Sequence, residues 1–132
     1  ELQGVKDVAA FITQGMRKLA SAKDFQFDLE KSVFIKVFES FHRAARFDCF
    51  SRPLRRRGRG GFLISVFEAT AIGLGYHLLK DPQRTVQRTE IALAFRELWR
   101  SPEFNKYSKS GVSASSRLPR LVPLGRRLFD TL

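Results

Sequence analysis

The apolar segment at residues 62–79, FLISVFEATAIGLGYHLL, is the feature that most constrains how this chain folds. A helix formed by this segment would be apolar on every side, so other elements must surround it. Its length lies at the lower limit for crossing a bilayer, but Glu68 falls near its middle and favours a helix buried in a globular core. We therefore predict an all-α fold, a compact bundle of about five helices around a buried central helix, and we expect no membrane partner.

Two amphipathic helices are predicted before the central helix. Apolar residues at steps of three and four from Val5 to Leu19 indicate one face of a first helix. Asp28 can cap a second helix, whose apolar face extends from Leu29 to Ala45. Its phenylalanines follow the helical period, so we interpret them as core residues rather than as a platform for stacking bases.

The segments after the central helix are also predicted to be helical. Asp81 followed by Pro82 is typical of an N-cap and a first helical residue, so a helix is expected to start there. A short turn and a Ser-rich loop at residues 108–116 should follow. In the last segment, 117–132, Pro123 should kink or split the helix.

The size and composition of the chain fit a single domain. It has 132 residues, of which 43% are hydrophobic and 13 are Phe, enough to bury a core. We interpret residues 1–132 as one helical domain from a longer protein, and the lack of a signal-peptide pattern favours a cytoplasmic location. Cys49 is the single cysteine, so no internal disulfide is expected. His42 and His77 stand at no metal-ligand spacing from it, and we expect no metal or other cofactor.

Positive charge is concentrated in the second part of the chain. The net charge is +11, to which residues 1–51 contribute +1 and residues 52–132 contribute +10. Such a field attracts polyanions, whether nucleic acid, nucleotide phosphates or an anionic membrane surface. A solvated surface, or a patch that meets an acidic neighbouring domain, would have the same composition, so charge alone leaves these alternatives open.

An arginine-rich loop at residues 52–61 is the best candidate for binding. Guanidinium groups bind phosphate in a forked geometry, and a glycine-rich backbone lets them follow an irregular anion. The candidate nucleic-acid-binding residues of this loop are Arg52, Arg55, Arg56, Arg57 and Arg59. Further cations that would widen the patch are Arg84, Arg88, Lys109, Arg117 and Arg120. The Ser-rich loop at 108–116 can be a flexible linker, a helix N-cap or an anion-binding turn.

Glu68 is the ionisable residue that we expect in the core. A buried charge is costly unless it is paired, so we predict a structural ion pair between Glu68 and an arginine. The alternative is a catalytic role on a nucleotide phosphate, for which a single carboxylate is weak support. The sequence contains no P-loop, dinucleotide-binding motif or nucleophile elbow, and we assign no catalytic residue.

Two short motifs lie in the second half of the chain. Phe67-Glu68-Ala69 falls in an apolar helix after an arginine-rich turn, and a Ser/Gly run at 110–116 precedes Arg117. This order resembles the region downstream of the ParB/sulfiredoxin-like fold in GmrSD-type proteins, the nucleotide-dependent, modification-directed restriction enzymes and related phage-defence proteins. The resemblance implies a helical part that follows a catalytic fold. The family's Asp-Gly-Gln-Gln-Arg motif and a His-Asn-His nuclease signature are missing from this sequence, so neither activity would belong to these residues.

The leading hypothesis is therefore a helical accessory domain of a restriction or defence protein that contacts nucleic acid backbone, with DNA favoured. An N-terminal catalytic domain or a partner subunit would supply any enzymatic activity. The alternative is a protein-interaction or structural module whose basic face docks an acidic domain or partner, through a contact with an apolar centre.

Overall fold

The computed structural model describes residues 4–45, 49–52 and 60–130, which contain six α-helices. They are α1 (Val8–Ser21), α2 (Phe27–Ala45), α3 (Ile64–Lys80), α4 (Arg88–Arg100), α5 (Pro102–Tyr107) and α6 (Ala114–Leu128). The described residues form no strand, although an isolated antiparallel bridge joins Ser51 to Phe62. The predicted all-α bundle is confirmed, and the turn expected after α4 is a short helix of its own.

α3 is the central helix of the bundle, as predicted, and the core lies on both sides of it. One hydrophobic cluster joins α3 to α2, α4 and the residue after α6; it contains Val33, Val37, Phe41, Ala71, Leu74, Leu78, Ile91, Ala94 and Phe129. The second joins α3 to α4, α5 and α6; it contains Val66, Ala69, Leu98, Phe104, Leu121 and Leu124. Because α3 supplies residues to both clusters, it is the element that the other helices share.

The close crossing of α3 and α6 depends on two glycines. A Cβ atom on Gly125 would overlap the backbone carbonyl of Ala69, and one on Gly73 would overlap the carbonyl of Gly125. Both glycines are buried. Because these positions carry no side chains, the two helix backbones can touch.

The start of α4 differs from the prediction. Asp81 does not begin a helix; its backbone N–H donates to the carbonyl oxygen of His77 at 2.9 Å and ends α3. α4 begins seven residues later, at Arg88, where the carboxylate of Glu90 accepts a hydrogen bond from the backbone N–H of Gln87. The side chain of Gln87 accepts in turn from the backbone N–H of Glu90. This reciprocal capping box satisfies two N–H groups at the start of α4, so the helix begins there.

α6 is a continuous helix through Pro119 and Pro123, so of the predicted kink or split at Pro123 the split is wrong. The prolines lie four residues apart and therefore on one side of the helix, where Pro123 is exposed. The carbonyl that loses its partner at Pro123 lies on this same side and can be hydrated. Leu121 and Gly125 pack against α3 on the buried side and hold the helix together.

α1 forms as predicted, but its apolar face does not enter the core. Asp7 caps it by accepting a hydrogen bond from the Ala10 backbone at 2.9 Å, and none of its residues is buried. Met16, on the apolar face, is 67% exposed. None of the helices in the described part of the chain has the length and hydropathy needed to span a bilayer.

Candidate nucleic-acid interface

The arginine-rich loop is anchored at the N-terminal end of α3. Arg55, Arg56, Arg57 and Arg59 lie outside the described residues, but both ends of the loop are described. The Ser51–Phe62 bridge closes it, and the backbone N–H of Leu63, the N-cap of α3, donates to the Phe50 carbonyl at 2.8 Å. A Cβ atom on Gly60 would lie 2.9 Å from the carbonyl oxygen of Arg52, so the backbone approaches itself closely at the two ends of the loop. Arg52 itself is exposed.

Glu68 and Arg117 form a forked ion pair between α3 and α6. Nε of Arg117 donates to Oε2 of Glu68 at 2.6 Å, and NH2 donates to Oε1 at 2.9 Å. The two side chains are only 9% and 13% exposed, respectively. The hydrogen bond to Glu68 raises the pKa of the Arg117 guanidinium above its usual value, against the smaller opposing effect of burial. The charge of Arg117, proposed from the sequence as a phosphate contact, is therefore compensated inside the protein.

Arg117 also ties the Ser-rich loop to this ion pair. Its NH1 group donates to the carbonyl oxygen of Val112 at 3.0 Å. Immediately after Val112, Ser113 acts as the N-cap of α6, and its hydroxyl accepts a hydrogen bond from the Ser116 backbone at 3.3 Å. The C-terminal end of the 108–116 loop is thus a helix N-cap, one of the three roles that its composition allowed.

α3 and α6 run parallel, and this brings the two predicted loops together. Glu68 and Arg117 pair near the start of both helices, whereas His77 Nε2 donates to the Arg126 carbonyl at 2.8 Å near the end of both. The N-termini of α3 and α6 therefore lie at the same end of the bundle. The arginine-rich loop enters α3 at this end, and the Ser-rich loop enters α6 beside it.

Exposed cations surround a tyrosine at the same end. The ammonium group of Lys106 lies 5.4 Å from the centre of the Tyr107 ring, and the Arg120 guanidinium lies 5.7 Å from it. Lys109, two residues after Tyr107, is also exposed. We call the surface formed by Arg52, Lys106, Lys109, Arg120, Tyr107 and the first turns of α3 and α6 the basic end. Tyr107 was not selected from the sequence; the signal was an aromatic residue with a polar group between two lysines.

Arg84 and Arg88 lie away from the basic end. NH1 of Arg84 donates to the Phe129 carbonyl at 3.2 Å, just beyond the C-terminus of α6, and NH2 pairs with Glu90 at 3.0 Å. Arg88 opens α4 beside this pair. The candidate cations thus form two groups at opposite ends of α6, with Arg84 engaged in internal contacts.

The described residues contain no group of three or more His, Cys, Asp and Glu side chains that could hold a metal ion. Comparison with protein-family models, with curated proteins and with solved structures found no match to this chain. The resemblance to GmrSD-type proteins therefore stays a prediction from the sequence.

Proposed function

We propose that the basic end binds the phosphate backbone of nucleic acid without reading its sequence. The observation that carries this proposal is the parallel arrangement of α3 and α6, because it puts Arg52, at the start of the arginine-rich loop, at the same end of the bundle as the exposed cations of the Ser-rich side. Had the helices been antiparallel, the two sets of cations would lie about 20 Å apart.

Three physical features support binding of a polyanion at this surface. The first-turn N–H groups of α3 and α6 both point toward the basic end, and their partial positive charges favour phosphate there. Glu68, the carboxylate of α3, is neutralised by Arg117 and does not oppose a phosphate. Tyr107 holds the cations of Lys106 and Arg120 over its ring, so two positive charges lie close together at this surface.

The protein context proposed for this activity is an accessory domain of a restriction or defence protein, as the resemblance to GmrSD-type proteins implies. In that setting the domain would hold DNA for a catalytic domain elsewhere in the protein. No nucleotide chemistry is proposed for the residues of this chain.

The direct test is binding of a labelled random duplex and a labelled single strand, titrated across salt concentration. Each phosphate neutralised adds about 0.9 to the slope of log affinity against log salt for duplex DNA and about 0.7 for a single strand. We expect a slope of several units for at least one of the two. No binding at low salt would contradict the proposal and favour an acidic protein partner for the same surface.

A pair of matched double variants tests which cations are used. Lys109→Gln with Arg120→Gln removes two charges from the basic end, and we expect the duplex slope to fall by about 1.8. Lys31→Gln with Arg88→Gln removes two exposed charges that belong to α2 and α4 and not to the basic end, and the slope should change little. Equal losses in the two variants would show that net charge, rather than the basic end, determines binding.

A third variant tests the arginine-rich loop. Replacing Arg52, Arg55, Arg56, Arg57 and Arg59 together by Gln should weaken binding and lower the slope further, since up to five phosphate contacts are lost. The thermal unfolding midpoint should stay close to that of the parent protein, because arginine side chains are seldom part of a hydrophobic core. An unchanged affinity would remove the loop from the interface.

A further inference from the structure

Phe62 opens the apolar 62–79 segment but is not buried. It is 64% exposed, and Ile64, two residues later, is 53% exposed. Leu63 between them has extended backbone angles, φ −111° and ψ 107°, so the side chains of Phe62 and Ile64 lie on the side opposite to that of Leu63. Leu63 packs against the core cluster that contains Val66. The two flanking side chains therefore face away from the core.

The ring of Phe62 is held in place from the core side. Its centre lies 5.8 Å from that of Phe50 and 6.2 Å from that of Phe67. Phe50 in turn makes an edge contact at 5.5 Å with Phe41, which is only 1% exposed. The bridge from Phe62 to Ser51 fixes the backbone. Phe62 is thus the outermost ring of an aromatic cluster that continues into the core, and it loses little conformational freedom when a ligand covers it.

Positive charge lies directly beside this ring. Ser51, the bridge partner of Phe62, is followed at once by the exposed Arg52, where the arginine-rich loop begins. The loop returns to the bundle at Gly60, two residues before Phe62 and against the carbonyl of Arg52. Proteins that bind single strands combine these two elements, because cations follow the phosphates while aromatic rings stack on the bases.

We propose that the basic end binds single-stranded nucleic acid with an unpaired base stacked on Phe62. This inference rests on the proposed function, because the phosphates next to that base must be held by the cations of the basic end. In a duplex the faces of each base are covered by the neighbouring pairs, so only an unpaired base can offer a face to the ring. Any base can occupy the site, since every base has a π-face.

The small size of the exposed apolar surface favours a base over a lipid layer. An anionic membrane would also be attracted by the cations, but the strength of binding at a membrane surface scales with the apolar area that enters the lipid. Where the loop returns to the bundle, Phe62 and Ile64 offer only two side chains. A single stacked base needs no more than the face of one ring.

Oligonucleotides with and without bases test the contact directly. A thymidine homopolymer, which does not pair with itself, carries the same phosphates as a strand of equal length made of abasic spacers. We expect the protein to bind the thymidine strand at least about fivefold more tightly, because one stacked base contributes that much or more. Both strands should show the same salt slope, because the phosphate contacts are the same.

The two possible failures of this experiment are distinct. Equal affinities for the two strands, with a steep salt slope, would overturn the stacking contact and leave the proposed phosphate binding supported. Absence of binding to either strand at low salt would overturn the proposed function and this inference with it.

Phe62→Leu removes the aromatic face but keeps an apolar side chain against Phe50 and Phe67. It should lower the affinity for the thymidine strand to that for the abasic strand, and leave the salt slope and the duplex affinity unchanged. Phe27→Leu is the matched control, because Phe27 is 66% exposed and belongs to the first turn of α2 and not to the basic end. An equal loss for duplex and single strand, or a lower salt slope, would show that Phe62 shapes the loop and would overturn stacking.

Phe62→Trp keeps the proposal falsifiable if circular dichroism shows that Phe62→Leu is unfolded. A larger ring should preserve or increase the preference for the thymidine strand over the abasic strand, and loss of that preference would contradict stacking. Vesicles of phosphatidylserine and phosphatidylcholine test the other anionic surface. If Phe62→Leu weakened vesicle binding but left the preference between the two strands unchanged, the ring would serve a lipid surface and the proposal would be overturned.

Discussion

Replacing Gly125 by alanine is expected to destabilise the domain by about 3 kcal/mol, although the same change normally stabilises a helix. The added Cβ would overlap the backbone carbonyl of Ala69, which cannot rotate away as a side chain can. α6 would have to move off α3, and the cluster that contains Val66 and Leu121 would lose its packing. Since total stabilities of domains are about 5–15 kcal/mol, this change removes a large fraction.

Gly75→Ala is the matched control for this prediction. Gly75 lies in the same helix as Ala69, but a Cβ there would meet Val37 Cγ2 at 3.8 Å, an ordinary contact. The substitution should therefore raise stability by up to about 1 kcal/mol through helix propensity. Denaturant unfolding followed by circular dichroism would measure both. A Gly125→Ala protein as stable as the parent would show that the two helices do not cross at this point.

Arg117→Met is expected to cost about 3–5 kcal/mol, because it leaves the buried carboxylate of Glu68 without its partner. The variant also loses the hydrogen bond to the Val112 carbonyl, which connects the Ser-rich loop to the ion pair. We expect most of the lost stability to come from the unpaired charge of Glu68, because this side chain is only 9% exposed. Denaturant unfolding at neutral pH would measure the loss.

A double variant separates the cost of an unpaired charge from the value of the pair. Glu68→Met combined with Arg117→Met removes both charges and keeps apolar volume, so it should recover most of the stability lost in Arg117→Met. Arg127→Met is the surface control, since Arg127 and Glu103 pair at 2.8 Å but are 59% and 33% exposed; we expect a loss of no more than about 1 kcal/mol. If the double variant were as unstable as Arg117→Met, the pair would contribute through its hydrogen-bonding geometry rather than by charge compensation.

Because its pKa is raised, Arg117 stays charged at moderately alkaline pH, so the stability that its ion pair with Glu68 contributes should not change there. A group whose folded pKa is above its unfolded value contributes stability that is fully present below the unfolded pKa and is lost as pH rises through the folded pKa. For Arg117 that loss would begin only above the already high ordinary value of a guanidinium. The Arg117→Met loss should therefore be the same at neutral and moderately alkaline pH.

The helices could be predicted because their signals are local. α3 begins and ends within two residues of the predicted 62–79 segment, because a long apolar run can be identified from consecutive residues alone. α2 was predicted in the same way from its periodic apolar face, of which Val33, Val37 and Phe41 are buried, whereas Phe34, predicted as a core residue, is 63% exposed. The start of α4 was missed because two local signals competed: Asp81-Pro82 matches a helix start, but the capping box at Gln87 formed instead and Asp81 ended α3.

Pro123 shows where a local rule fails for a tertiary reason. A proline inside a helix removes a backbone hydrogen bond, which predicts a break. In the fold the cost falls on the exposed side of α6, while the opposite side packs on α3 through Leu121 and Gly125. The contacts of the buried side keep the helix continuous, and they cannot be predicted from residues 117–132 alone because they are made with α3.

The sequence by itself determined that the fold is all-α, that residues 62–79 are central, and that Glu68 would need a cationic partner. Only the tertiary structure decided that this partner is Arg117, that α3 and α6 run parallel, and that Arg120 and Lys109 share an end with Arg52 while Arg84 does not. The physical reason is distance along the chain. Helical periodicity is set by neighbours three and four residues apart, whereas the Gly73–Gly125 crossing joins backbones 52 residues apart.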